Sequence, residues 1–252
     1  MNTFSIVLTG VLVSALPVCL VLLFVNAPYG KHDRRGWGPG VGPRLGWFLM
    51  EFPALASFLW FYVTGPHADR LLPLLFCALF AGHYIHRSLV YPLQIRPARG
   101  AQVRFVIILL ANVFNVANGY LNGAWLSRYG VNFYDSAWMK DPRFLAGIFM
   151  FVVGLVLNKH SDAILQKLRS TPEAGYGIPY GGGFRLVSNP HYLGELVQWS
   201  GFALASWSPA AGAFVLFSAA NLVPRAIATH RWYRNTFADY PKRRKAIVPF
   251  VL

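Results

Sequence analysis

Apolar residues along this chain run in long blocks near 5–27, 46–64, 71–93, 105–127, 144–164, 191–207 and 209–229, separated by short polar stretches. An α-helix rises about 1.5 Å per residue, so crossing the hydrocarbon core of a bilayer takes roughly 20 apolar residues, and each block is the length of one span. The stretch from Leu196 to Pro224 carries no charge and is too long for a single span; Ser206-Trp207-Ser208-Pro209 breaks it into two helices joined by a tight turn. No charge falls between Met1 and Gly30, and the basic leading segment of a cleavable signal peptide is missing, so the first block is read as a helix that stays in the membrane. The predicted fold is all-α, a seven-transmembrane helix bundle. No internal repeat or low-complexity tract divides it, and residues 1–252 are read as one domain.

Composition agrees with that pattern: of 252 residues, 55% are hydrophobic and 13% charged, the profile of a polytopic membrane protein. The formal charge of +14 would suit nucleic acid, but the basic residues sit between the blocks rather than on one amphipathic face, which points to membrane loops instead. Residues 29–45 carry Lys31, Arg34, Arg35 and Arg44 against Asp33, a net +3, and residues 87–104 carry Arg87, Arg96, Arg99 and Arg104, a net +4. The region from Lys159 to Pro190 sets Lys159, Lys167, Arg169 and Arg185 against Asp162 and Glu173, a net +2. The tail from His230 reaches +5, with Arg231, Arg234, Lys242, Arg243, Arg244 and Lys245 against Asp239. Alternate connections are close to neutral, so the positive loops place the N-terminus outside and the C-terminus in the cytosol. Cys19 and Cys77 each lie in an apolar stretch, and neither a disulfide framework nor a thiolate metal site is expected.

Ionisable side chains inside a membrane helix are costly and by default face the bundle interior or a wet cavity. If the second and third helices turn near Ala68, Glu51 lies 17 residues before the turn and Tyr84 16 after it, so both sit roughly 25 Å away at one depth, towards the cytosol. The last hairpin, turning near Ala210, places Glu195 and Arg225 each 15 residues from its turn, which suggests an ion pair or a shared polar ligand. Depth alone leaves open whether these pairs lock helices together or do chemistry. Tyr84, Arg87 and Tyr91 share one helix face, as do Asn158, Asp162 and Arg169. His83 and His86 also share a face, but two ligands without a third make no metal site, and no metal is expected. Basic cytoplasmic loops suit an anionic ligand. Neither a Gly-x-Gly-x-x-Gly turn nor a Walker loop is present, so any nucleotide is held in a non-Rossmann way.

Several stretches together resemble the steroid 5-alpha-reductase family over nearly the whole chain. They include Tyr29-Gly30-Lys31-His32, Trp47-Phe48-Leu49 leading to Glu51 and Pro53, His83-Tyr84 with His86-Arg87 and Val90-Tyr91, and His160-Ser161-Asp162. Further on come Ile178-Pro179 with Gly181-Gly182, Leu193-Gly194-Glu195, and Asp239-Tyr240-Pro241-Lys242 followed by Arg244-Lys245-Ala246 and Pro249-Phe250. The piece from Asn189 to Glu195 also resembles C14-type sterol reductases and isoprenylcysteine methyltransferases. The resemblance, read as that of a bacterial homologue of the type 2 enzyme, implies NADPH between the cytoplasmic loops and the later helices, and a steroid among the earlier ones. Glu51 and Tyr84 match the pair that hydrogen-bonds the steroid 3-keto oxygen. Tyr29, Lys31, Asn158, Asp162, Arg169, Tyr176, Glu195, Arg225 and Tyr233 match positions near NADPH. His191 and His230 join that set at departures from the family pattern: His191 stands where Asn is expected, a family His falls at Thr229 beside His230, and Tyr176 is followed by Gly177 rather than Arg.

An enone accepts hydride at its β carbon when the developing enolate is stabilised, so the site needs a donor aimed at the carbonyl oxygen. On the family reading Tyr84 donates, and Glu51 either donates while protonated or orients the Tyr hydroxyl; burial in general favours the neutral carboxylic acid. Hydride goes to C5 and a proton to C4, with Arg169 and Lys31 the candidates for the 2′-phosphate. A related sterol or enoyl-lipid reductase, an isoprenylcysteine-type methyltransferase and a non-enzymatic scaffold are the competing readings. Expected partners are a steroid-like lipid and membrane lipids, with no nucleic acid and no obligate protein partner. A bacterial inner membrane and the endoplasmic reticulum fit equally well.

Overall fold

The computed structural model describes residues 2–34, 36–97, 100–169 and 176–252; Arg35, Arg99 and Glu173, counted above among the loop charges, lie outside them. A helix occupies each of the seven apolar blocks: α1 (Thr3–Phe24), α2 (Pro43–Val63), α3 (Leu71–Ile85) with a short α4 (Tyr91–Gln94), α5 (Phe105–Ala124), α6 (Pro142–Leu168), α7 (Pro190–Ser206) and α8 (Pro209–Thr236). Five helical stretches, 3–24, 43–63, 105–129, 142–168 and 209–236, are long and apolar enough to cross a membrane. By itself α3 has 15 residues and α7 has 17. A π-helical turn, His86–Val90, joins α3 to α4, so this helix continues to Gln94.

Local chemistry sets the boundaries. Asn2 caps α1 by accepting from the Ser5 amide, Asp141 caps α6 by accepting from the Arg143 amide, and Ser208 caps α8 by accepting from the Ala211 amide. Proline occupies the first position of α2, α6, α7 and α8, where its missing N–H costs nothing. Trp207, at φ 46°, takes the left-handed conformation that ends α7, so the break read from Ser206 to Pro209 is a real turn. Because backbone hydrogen bonding does not stop where apolar sequence stops, α8 carries on from its block through His230 to Thr236. A short ribbon departs from the all-helical reading: Gly40–Val41 pairs antiparallel with Val103–Arg104, and Tyr29 bridges to Val103 beside it. The Arg104 guanidinium donates to both Asp33 carboxylate oxygens, at 3.0 and 3.2 Å, and ties the first loop to this ribbon.

Two helix pairs approach at backbone distance because small residues face each other, the usual device where lipid removes the hydrophobic drive between helices. On α5, a Cβ at Gly119 would meet the Ala54 carbonyl oxygen at 2.7 Å, and one at Gly123 would meet the Phe58 carbonyl oxygen at 2.5 Å. Between α6 and α7, Gly147 and Gly154 face Gly201 and Gly194; a Cβ at Gly194 would lie 2.5 Å from the Asn158 nitrogen and 2.7 Å from the Gly154 oxygen. Phe58, Phe76, Phe80, Trp199, Phe202 and Phe214 fill the space between these pairs, with the Phe58 and Phe80 rings stacked 4.0 Å apart. Val13, Leu16, Leu109, Leu110, Phe149 and Val156 point outward, the apolar surface expected of a bundle facing lipid. Gly194→Ala should therefore cost about 1–3 kcal/mol by forcing α6 and α7 apart. The detergent-solubilised protein should melt lower, while Gly212→Ala, where nothing lies within 4 Å of a Cβ, should melt as the parent does.

Candidate functional site

Arg87 stands where four helical segments converge. Its guanidinium reaches Glu51 of α2 at 3.6 Å, Asp162 of α6 at 3.9 Å and Glu195 of α7 at 3.9 Å, with only 13% of its side chain exposed. The Trp47 and Tyr91 rings lie against the same cation, at 4.4 and 4.9 Å. It lies within the π turn, where Ser88 Oγ donates to the Tyr84 carbonyl at 2.6 Å. Such turns often accompany functional sites.

Tyr84 lies one helical turn away and is 3% exposed. Its ring packs against Phe80 at 4.8 Å and Trp199 at 5.9 Å, and its hydroxyl accepts from Asn118 Nδ2 at 3.2 Å. Glu51, Glu195 and Arg87 are its charged neighbours. Glu51 and Tyr84 thus both face the bundle interior at this centre, although no direct hydrogen bond joins them among the described residues.

A second cluster lies beside the first, on the loop side. Lys31 Nζ sits over the rings of Tyr233 at 4.0 Å, Trp232 at 4.9 Å and Tyr176 at 5.6 Å, and Arg169 lies over Tyr176 at 4.6 Å. Arg225 stacks on Tyr29 at 3.5 Å and donates to Tyr192 Oη at 3.1 Å and to the Tyr29 and Ala27 carbonyls at 3.1 and 3.3 Å. Burial, with Arg169 and Arg225 nearby, holds the Lys31 ammonium pKa well below its ordinary value. Burial also raises the Tyr29 phenol to about 12, against the pull of Arg225. Among the described residues no carboxylate pairs with Lys31, Arg169 or Arg225, so this end of the site gathers three basic side chains lined by aromatic rings. The two clusters adjoin: Tyr91 lies in the fields of Asp162, Arg87, Arg169 and Tyr192 together.

The remaining expected residues divide. Asn158 Nδ2 donates to the His191 carbonyl at 3.0 Å and so fixes the start of α7. The half-buried His191 ring lies against Tyr192 at 4.1 Å, and among the described residues its buried Nδ1 has no hydrogen-bond partner; neither does Asp162 Oδ2. His230 Nδ1 lies 2.6 Å from Ser188 Oγ, which also contacts Tyr240 Oη at 2.6 Å. The depth match of Glu195 with Arg225 does not make a pair: Glu195 faces Arg87, whereas Arg225 faces the first loop. Equal depth fixes a height in the bundle, and helix rotation decides what meets there. Arg87 as the hub, and Trp232, Tyr192 and Asn118 as neighbours, were not singled out from sequence as site residues. Asn112, Asn115, Asn118 and Asn122 within one apolar block were a readable signal of an inward polar face.

His32 makes a testable electrostatic point. Burial, with Arg225, Lys31 and Arg34 close by, lowers its pKa to about 4, and its Nε2 lies 3.4 Å from Thr229 Oγ1. The unfolded chain then binds the extra proton more readily, so the stability this neutral imidazole contributes is present above about pH 6.5 and is lost as the pH falls towards 4. Thermal melts across that window should show a decline for the parent protein that is smaller in His32→Asn.

A family model described as 3-oxo-5-alpha-steroid 4-dehydrogenase matches residues 101–252. The chain is 42% identical over 240 residues to Steroid 5-alpha-reductase DET2 of Arabidopsis thaliana, covering 93% of this chain and 91% of that one. It is 44% identical over 231 residues to 3-oxo-5-alpha-steroid 4-dehydrogenase 1 of Rattus norvegicus, covering 90% and 87%. To the Homo sapiens protein of the same name it is 39% identical over 228 residues, covering 90% and 86%. None of these three bears on a bacterial source.

Proposed function

The chain belongs to the 3-oxo-5-alpha-steroid 4-dehydrogenase family, and from that premise we propose that it reduces the 4,5 double bond of a 3-oxo-4-ene steroid with NADPH, Tyr84 and Glu51 polarising the 3-keto oxygen. One observation carries the reading: a buried phenol beside a charged centre adjoins a cluster of basic side chains and aromatic rings. The first suits a ketone that gathers negative charge; the second suits a dinucleotide.

The residues present fit NADPH. Lys31, Arg169 and Arg225 would meet its phosphates, with Lys31 and Arg169 on the 2′-phosphate, and the Tyr176, Trp232 and Tyr233 rings offer faces for a base. His191 Nδ1 and Asp162 Oδ2 are buried polar atoms that a bound ribose or amide would satisfy. When bound, the cofactor supplies a hydride equivalent for C5. The chain's own groups do the rest: the Tyr84 hydroxyl donates to the ketone oxygen as negative charge moves onto it, Glu51 holds the other side of that oxygen, and Phe80 and Trp199 keep the surroundings dry. A proton delivered to C4 completes the saturated ketone.

In the membrane the chain is proposed to act as one unit of seven spans, with the N-terminus outside and the NADPH side cytosolic; α3 reaches spanning length through its π turn and α4. Its partners are the steroid and the surrounding lipid. Incubating purified protein with NADPH and a panel of 3-oxo-4-ene steroids, and following cofactor absorbance and product mass, tests the whole reading. Oxidation of NADPH with a product two mass units heavier is expected. No turnover on any steroid would overturn the substrate class, and equal use of NADH would overturn the phosphate assignment of Lys31 and Arg169.

A further inference from the structure

Helix α5 presents three asparagines to the bundle interior, a polar ladder that neither a ketone donor nor a nucleotide cradle by itself calls for. Asn122 Nδ2 donates to the Asn118 backbone oxygen at 3.0 Å and to Asn118 Oδ1 at 2.8 Å. Asn118 Nδ2 donates to Tyr84 Oη at 3.2 Å. One turn earlier, Asn115 Nδ2 donates to the carbonyl of Met50, the residue before Glu51, at 2.6 Å. Asn115, Asn118 and Asn122 are all buried, at 7%, 2% and 1% exposure.

The order of donors carries the argument. Because Asn122 uses its amide hydrogens on Asn118 Oδ1, that oxygen is committed and the Asn118 amide group must turn its Nδ2 towards Tyr84; the reverse orientation would set two donors against each other. Tyr84 Oη therefore receives a hydrogen bond and makes no other among the described residues, leaving its own proton to point into the site. Receiving a bond also polarises the O–H, since hydrogen bonds in a chain strengthen one another. The α5 backbone cannot drift away from this task, because Gly119 and Gly123, the residues that directly follow Asn118 and Asn122, press it against α2.

We propose that Asn118, with its amide orientation set by Asn122, is a positioning residue that makes Tyr84 a donor to the steroid ketone, and that Asn115 does the corresponding service for the backbone at Glu51. The proposal rests on the reading of Tyr84 as that donor. Asn118→Leu should lower kcat about tenfold, the worth of roughly one hydrogen bond, with little change in steroid KM. Folding is protected in that variant because Asn122 keeps the residue-118 backbone oxygen as acceptor. Asn122→Leu, which never touches Tyr84, should act in the same direction and less strongly.

A double-mutant cycle tests this in the full-length protein, with kcat, KM and melting temperature measured for each variant. In a Tyr84→Phe background, Asn118→Leu and Asn122→Leu should cost nothing further, since the hydroxyl they serve is gone. Equal losses with and without that hydroxyl would make the ladder mere packing and overturn the proposal while leaving the Tyr84 reading intact. Wild-type kcat in Asn118→Leu would overturn it as well. Near-normal turnover by Tyr84→Phe alone would remove the donor itself, a distinguishable failure that takes both ideas together. If Asn118→Leu melts too low to assay, the same cycle run with Asn122→Leu decides.

Discussion

Tyr84→Phe should lower kcat about a hundredfold or more, with the steroid KM changed far less. The substitution removes one oxygen from a buried site walled by Phe80 and Trp199, where no other side-chain donor stands in for it among the described residues. Loss of a single preorganised donor to a developing oxyanion costs on the order of 10²–10³ in kcat in other enzymes. The ground-state ketone carries little charge and loses little, which is why the effect should fall on kcat. Glu51→Gln should fall in the same range if the carboxyl group donates or orients. Single-turnover rates with saturating NADPH read the chemical step directly, and near-normal rates in both variants would remove this pair from the mechanism.

Arg87→Met should be the most damaging change to stability. The guanidinium is the shared counter-charge of Glu51, Asp162 and Glu195, which come from three helices and have no other cation within ion-pair distance among the described residues. Its removal leaves carboxylates buried and mutually repelling, at a cost of about 3–5 kcal/mol. Replacing the whole group by apolar residues would cost far less, because the penalty comes from the uncompensated charges. Arg87→Lys should recover only part of the loss: an ammonium restores the charge but cannot fork towards three acceptors or lie flat between Trp47 and Tyr91. Folded yield in detergent and melting temperature are the measurements. A parent-like melt for Arg87→Met would show that the three carboxylates do not depend on this cation.

Charge and depth along the sequence anticipated part of this centre. Glu51 and Tyr84 were drawn to the same height by counting from a common turn, and both face inward in the structure. Arg87 was seen only as one member of a polar stripe, because a stripe states which residues share a face and not what the opposite helices bring to it. The pairing of Glu195 with Arg225 failed for that reason: both are at one height, but α7 turns Glu195 to Arg87 while α8 turns Arg225 to Tyr29. Likeness of sequence sets His230 near the cofactor, and in the structure its Nδ1 lies against Ser188 Oγ.

The sequence by itself determined the placing of the helical blocks, the turn between α7 and α8 and the polar character of the interior, since all three follow from runs of apolar residues, proline positions and charge-free lengths that need no partner to be read. Tertiary structure alone decided which side chains meet. Helix rotation, the π turn after α3 and the glycine contacts that bring α2 to α5 and α6 to α7 are set by packing between segments far apart in the chain, and these contacts gather three carboxylates around Arg87 and set Asn118 against Tyr84.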